Sequence, residues 1–146
     1  MPIMRILNTG AGKLGLELSP RQLEQFFTYY RELVDWNQRL NLTRITSCEE
    51  IQTKHFLDSL TVSMAWPALR PNADSRVIDV GSGAGMPGIP LKILLPDIKL
   101  VLLEATAKKA AFLSHLVTRL RLEDIEIVVG RAEDTAHQAK YRESFD

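Results

Sequence analysis

Arg76-Val77-Ile78-Asp79-Val80-Gly81-Ser82-Gly83-Ala84-Gly85 is the stretch whose reading decides the fold. A short β-branched run that ends in alternating glycines marks a buried strand closing in a tight turn. Gly81, Gly83 and Gly85 leave bare backbone at the turn, where side chains would block a ligand approaching the N-terminus of the next helix. A lone Gly-x-Gly is more often a turn and nothing else. The second signal here is acidic: Glu104 ends the next apolar run, Lys99-Leu100-Val101-Leu102-Leu103-Glu104. At the switch point of a parallel sheet its carboxylate would lie beside the glycines, placed to accept both ribose hydroxyls of a nucleoside.

Downstream, the pattern repeats. A helix is expected over residues 87–95, closed by Pro96, then the strand at 99–104, a helix from 107 to about 120 and a third strand at 125–129. Strands alternating with helices give βαβ units, a parallel sheet and right-handed crossovers. Upstream, Ser19-Pro20-Arg21-Gln22 reads as a capping box with proline at the first helical position. Leu23, Phe26, Phe27, Tyr30, Leu33, Val34 and Asn37 follow at helical spacing, predicting an amphipathic helix to about residue 40. A polar connection, 41–46, leads to a second capping box at Ser47-Cys48-Glu49-Glu50. The helix it opens should stop before Pro67, with Ile51, His55, Asp58 and Val62 along one side. The chain thus divides into an N-terminal extension (1–18), a helical cap segment (19–75) and an α/β unit (76–146).

Composition excludes more than it selects. With 18 basic and 18 acidic residues the chain lacks the basic footprint usual for nucleic-acid binding, so an RNA partner has to be argued from elsewhere. The single cysteine, Cys48, cannot form an internal disulfide. Residues 1–18 lack the apolar core of a secretory signal, and no apolar run approaches the length of a membrane span, so a cytoplasmic protein without membrane partners is expected. Three histidines and scattered acids make a metal site unexpected.

Two cofactor classes fit the glycine loop. Gly83-Ala84-Gly85-Met86-Pro87-Gly88 matches the dinucleotide fingerprint literally, with Glu104 about 20 residues on. The register argues against it, because that fingerprint counts from the glycine directly after the strand. That glycine is Gly81, and the sixth position from it is Met86. Asp79, inside the strand end, suits a cofactor with a free ammonium group, and S-adenosylmethionine has one.

These residues also resemble a known family, the RsmG (GidB) methyltransferases, which methylate N7 of a guanine in bacterial 16S ribosomal RNA. The resemblance runs from the first helix to the chain end. It is carried by Trp36-Asn37, Asn41-Leu42-Thr43, His55-Phe56-Leu57-Asp58-Ser59-Leu60, the run from Asp79 to Leu91, Lys108-Lys109-Ala110-Ala111-Phe112-Leu113 and Arg131-Ala132-Glu133. It implies a Rossmann-like methyltransferase fold, with S-adenosyl-L-methionine as cofactor and 16S ribosomal RNA or the small ribosomal subunit as partner. Asp79, Gly81, Ser82, Gly83, Gly85 and Met86 would line the cofactor pocket. Glu104 would hold the ribose, and Ala132 and Glu133 would flank the adenine. Asn41, His55 and Asp58 are candidates for substrate contact or for structure; three apart on a helix, His55 and Asp58 are expected to form a hydrogen-bonded pair.

Relatives in that family continue past the position of Asp146, so the later strands and much of the substrate pocket are expected to lie in such a continuation. No catalytic acid or base is expected, because guanine N7 has a lone pair and no proton. The competing readings are a dinucleotide-dependent oxidoreductase and a non-catalytic RNA-binding module that keeps a cofactor-fold remnant.

Overall fold

The computed structural model describes residues 4–65 and 75–131. Three parallel strands, β1 (Arg76–Val80), β2 (Lys99–Glu104) and β3 (Ile125–Val129), form a sheet in the order β1-β2-β3. Asp79 pairs with Leu102, and Glu104 pairs with Val129. The carboxyl ends of all three strands therefore come out on one side. Among the described residues the α-helices are α1 (Arg5–Lys13), α2 (Pro20–Asn37), α3 (Cys48–Glu50), α4 (Asp58–Thr61), α5 (Gly88–Leu94) and α6 (Ala107–Leu120); α5 and α6 pack on the strands, and α2 packs on α5 and α6. The fold is α/β, and the half-sheet has the parallel arrangement that alternating strands and helices require.

The capping box at α2 is present. Gln22 N donates to Ser19 Oγ (3.1 Å), and Gln22 Oε1 accepts from Ser19 N (2.8 Å). The same Gln22 donates from Nε2 to Ile93 O at the end of α5 (2.9 Å). One turn on, Gln25 Nε2 donates to Leu120 O at the end of α6 (2.9 Å). Further along, Glu32 accepts from His115 (2.8 Å) and Arg119 (3.2 Å) of α6. With Tyr29, described below, these residues make a polar stripe at 22, 25, 29 and 32, the spacing of one helix face. Phe26, Tyr29 and Leu33 are the fully buried residues of α2. The buried tyrosine is Tyr29; Tyr30, the one expected from spacing, is half-buried.

Two stretches of the helical segments differ from the sequence expectation. Within the N-terminal segment, residues 5–13 form α1, which buries Leu7 and Ala11, and Met4 and Leu18 are buried as well. Gln52 Oε1 accepts from Leu7 N (3.0 Å), satisfying a donor that a helix start leaves without an intrahelical partner. At Gly10 a Cβ would stand 2.5 Å from Leu57 Cδ1, so glycine lets the two helices touch. The second departure is that the helix opened by Ser47 is not a continuous α-helix. Between α3 and α4 the segment Ile51–Leu57 is π-helical, and Val62–Ala65 is a 3-10 turn. The wider π turn shifts the register, burying Ile51, Gln52 and Phe56 and leaving Asp58 and Val62 exposed. The expected single face of Ile51, His55, Asp58 and Val62 therefore does not form.

α5 starts at Gly88 rather than at residue 87 and ends in a local device. Lys92, 1% exposed, donates to Pro96 O (2.7 Å) and to Ile98 O, so a buried cation satisfies carbonyls just past the helix end. Burial pushes its ammonium pKa down. Among the described residues no helix is long and apolar enough to cross a membrane.

Candidate cofactor site

The glycine loop hangs on the end of β2. Gly81 N and Ser82 N both donate to Leu103 O (2.8 and 3.1 Å), and Ser82, itself buried, donates from Oγ to Asp79 O (3.0 Å). The four glycines beyond the strand divide by what a side chain would meet. Gly81 (φ 72°) and Gly83 (φ 54°) have left-handed backbones, and a Cβ on either has open space or a single contact at 3.9 Å. Gly85 (φ 95°) faces inward, where a Cβ would lie 2.7 Å from Tyr29 Oη and 2.9 Å from Ile89 Cδ1. Gly88 does the same against Asp79 Oδ2 (2.8 Å) and Leu102 Cδ2 (3.0 Å). Gly81 and Gly83 thus border accessible space, while Gly85 and Gly88 allow α5 to close on the sheet.

Glu104 is 6% exposed and sits where the topology requires. Its Oε2 accepts from Gly83 N (2.7 Å), and its Oε1 accepts from Thr106 N (3.1 Å). One carboxylate thereby ties the glycine loop to the start of α6. Each oxygen has a second lone-pair direction, and those are the ones a vicinal diol could use.

Asp79, 8% exposed, points beneath the loop, where Oδ2 accepts from Gly88 N at the start of α5 (3.0 Å). Burial, with a contribution from the charge of Glu104, raises its carboxyl pKa from 3.8 to about 6. Met86 is half-buried and packs against the core. Ala132 and Glu133 lie outside the described residues.

The residues from the helical segment are placed differently from expectation. His55 Nε2 is hydrogen-bonded to Thr43 Oγ1 (2.7 Å), so the expected hydrogen-bonded pair with Asp58 is replaced by a contact with the connection after α2. The π register is the physical reason. Burial lowers the His55 pKa, with the Asp58 charge opposing. That connection is organised by Asn37, whose Oδ1 accepts from Leu42 N (2.9 Å) and Thr43 N (3.0 Å); Asn41 is exposed beside it. Among the described residues no group of three or more His, Cys, Asp or Glu is placed to hold a metal.

Sequence reasoning missed Tyr29. Its ring packs on Phe56 of the π segment (4.9 Å between centroids), and its hydroxyl donates to Ala84 O within the glycine loop (2.6 Å). Burial, then the charge of Asp79, pushes its pKa well above the usual 10, so the hydroxyl keeps its proton. The one hint in the sequence is the 26, 29, 33 spacing, which competes with 26, 30, 33.

A cavity of about 620 Å3 lies elsewhere, lined by Gln22, Gln25, Lys92, Asp97 and Arg121 among others. It holds none of the glycine-loop residues, so the candidate site is placed by the glycine loop and Glu104 and not by that cavity.

A family model described as GidB, rRNA small subunit methyltransferase G, matches residues 22–144. Proteins named "Ribosomal RNA small subunit methyltransferase G" are similar over nearly the whole chain. The one from Dehalococcoides mccartyi is 51% identical over 97% of this chain and 59% of its own length. For a Roseiflexus species the figures are 48%, 97% and 58%, and for Caldanaerobacter subterraneus 46%, 98% and 59%. The chain spans about three-fifths of the length of the curated relatives it matches.

Proposed function

Because the chain belongs to the rRNA small subunit methyltransferase G family, we propose that it binds S-adenosyl-L-methionine and serves methylation of guanine N7 in 16S ribosomal RNA. The observation that carries the cofactor reading is the join between Glu104 Oε2 and Gly83 N, which sets a carboxylate beside the open faces of Gly81 and Gly83. In this reading Glu104 holds the ribose and Gly81, Ser82 and Gly83 present backbone to the cofactor. Asp79 carries the negative charge nearest its ammonium, and Met86 lines the pocket. Ala132 and Glu133 are proposed to flank the adenine. Residues 19–75 act as a helical cap on the methyltransferase unit at 76–146, with 1–18 anchoring the cap. Asn41, His55 and Asp58 lie on the cap, where they would meet the ribosomal RNA or the small subunit, and such a substrate places the protein in the cytoplasm.

When bound, the cofactor supplies a methyl group already activated by its sulfonium. Guanine N7 offers an in-plane lone pair, so no side chain has to remove a proton first. The protein's contribution is alignment, which can be worth roughly 7–11 kcal/mol of barrier. A target guanine with an accessible edge suits a loop or single-stranded region of RNA.

Calorimetry with S-adenosylhomocysteine and with NAD tests the cofactor class, and tritiated-methyl transfer to small-subunit RNA tests the reaction. Binding of NAD in place of S-adenosylhomocysteine would establish the oxidoreductase alternative; RNA binding with no response to either would establish the non-catalytic one. Glu104→Ala is expected to weaken S-adenosylhomocysteine by about 1.5–3 kcal/mol, the scale of hydrogen bonds to a charged group. A 2′-deoxyribose analogue should lose part of its affinity for the wild type and little more on Glu104→Ala. Equal loss for both ligands would remove the ribose role.

A further inference from the structure

We propose that Tyr29 is a positioning residue for the glycine loop, so that the helical cap forms the rear wall of the cofactor site. The proposal rests on the cofactor reading above and extends it to a residue outside the α/β unit. The Tyr29 hydroxyl reaches across from α2 to hold Ala84 O at 2.6 Å, between the outward-facing Gly83 and the inward-facing Gly85. Gly85 N donates to Ser82 O (2.7 Å) and Ile89 N to Gly85 O (2.8 Å), so the carbonyl that Tyr29 holds belongs to the turn that feeds α5. The ring cannot swing away, because Tyr29 has no solvent exposure and packs at a tilt against Phe56. Glu104 fixes the loop from the front at Gly83, and Tyr29 fixes it from behind at Ala84. With both in place Gly81 and Gly83 keep the left-handed conformations that leave their outer faces bare.

Tyr29→Phe deletes the hydroxyl and keeps the ring. Leu33→Val, one turn along the same buried face, serves as a control that lowers stability without touching the loop. Amide hydrogen exchange and calorimetry with S-adenosylhomocysteine are measured on both variants of the full chain. Tyr29→Phe is expected to speed exchange at Gly85 and Ile89 at least tenfold relative to Leu102 and Leu103 of β2, and to weaken S-adenosylhomocysteine about tenfold. Leu33→Val should leave that exchange ratio and the affinity within twofold of wild type. The proposal is overturned if Tyr29→Phe keeps the wild-type ratio, if the loop loosens with affinity unchanged, or if Leu33→Val matches Tyr29→Phe. Should the wild type itself fail to bind S-adenosylhomocysteine, the cofactor reading falls, and the exchange ratio alone decides whether Tyr29 holds the loop.

Discussion

Gly81→Val is expected to abolish binding of S-adenosylhomocysteine while leaving the chain folded. At φ 72° a β-branched residue sits in a backbone region it rarely adopts. That strain costs about 1–2 kcal/mol, against a net stability of about 5–15 kcal/mol for a typical domain. Among the described residues the new side chain meets no atom within 4 Å at its Cβ, so it projects into the space over the loop that the cofactor is proposed to fill. Affinity should fall more than 100-fold, with a melting temperature lower by roughly 2–8 °C. Gly85→Ala is the instructive contrast. Its Cβ would press on Tyr29 Oη and Ile89, so the expected effect is a loss of stability in the ligand-free chain. Calorimetry and thermal melts on the two variants separate these outcomes, and a folded Gly81→Val protein with wild-type affinity would sink the assignment of the loop.

Asp79→Asn is expected to stabilise the ligand-free chain at neutral pH and weaken it as a receptor. The folded-state pKa is raised, from 3.8 to about 6, so folding favours the protonated carboxyl. The sign follows: the stability linked to Asp79 is fully present below about pH 3.8 and is lost as pH rises through about 6. The loss by pH 7.5 is on the order of 3 kcal/mol. Asparagine removes the charge and still offers an oxygen to Gly88 N. The melting temperature of Asp79→Asn should therefore exceed wild type at pH 7.5, with the gap closing toward pH 4. Without the carboxylate the cofactor ammonium would lose its proposed partner, and S-adenosylhomocysteine should bind about 10- to 150-fold more weakly, the equivalent of 1.5–3 kcal/mol. Stabilisation with unchanged affinity would reduce Asp79 to an anchor for α5.

What could be read from the sequence was what local pattern determines. The three strands were legible because short apolar β-branched runs are bounded by turn residues, and α2 and α6 because their apolar faces recur at helical spacing. The join of Glu104 to the glycine loop was legible because parallel strands bring their carboxyl ends together whatever the details of packing. α1 was hidden by Gly10 and Gly12, which lower helix propensity, although Gly10 is needed for contact with Leu57. The π segment has no composition of its own, so His55 was paired with Asp58 on an α-helical ruler that does not apply there. Tyr29 was missed because neighbouring helix positions point about 100° apart, and the choice between Tyr29 and Tyr30 is made by Phe56 and the loop, both distant in sequence.

The polar stripe on α2 has a mechanical consequence. Gln22, Gln25 and Tyr29 each engage a carbonyl on a different part of the α/β unit, at residues 93, 120 and 84. Sliding α2 by one turn, or rolling it by one residue, would strip all three carbonyls at once. Leaving the buried Ala84 carbonyl without a donor costs about 1–3 kcal/mol, and the part-buried carbonyls of Ile93 and Leu120 add smaller losses, against a net stability of about 5–15 kcal/mol for a typical domain. The helix is consequently a stator: it has one seat, with no neighbouring notch to ratchet into. A ligand settling over the glycine turn would therefore meet a backing that stays still.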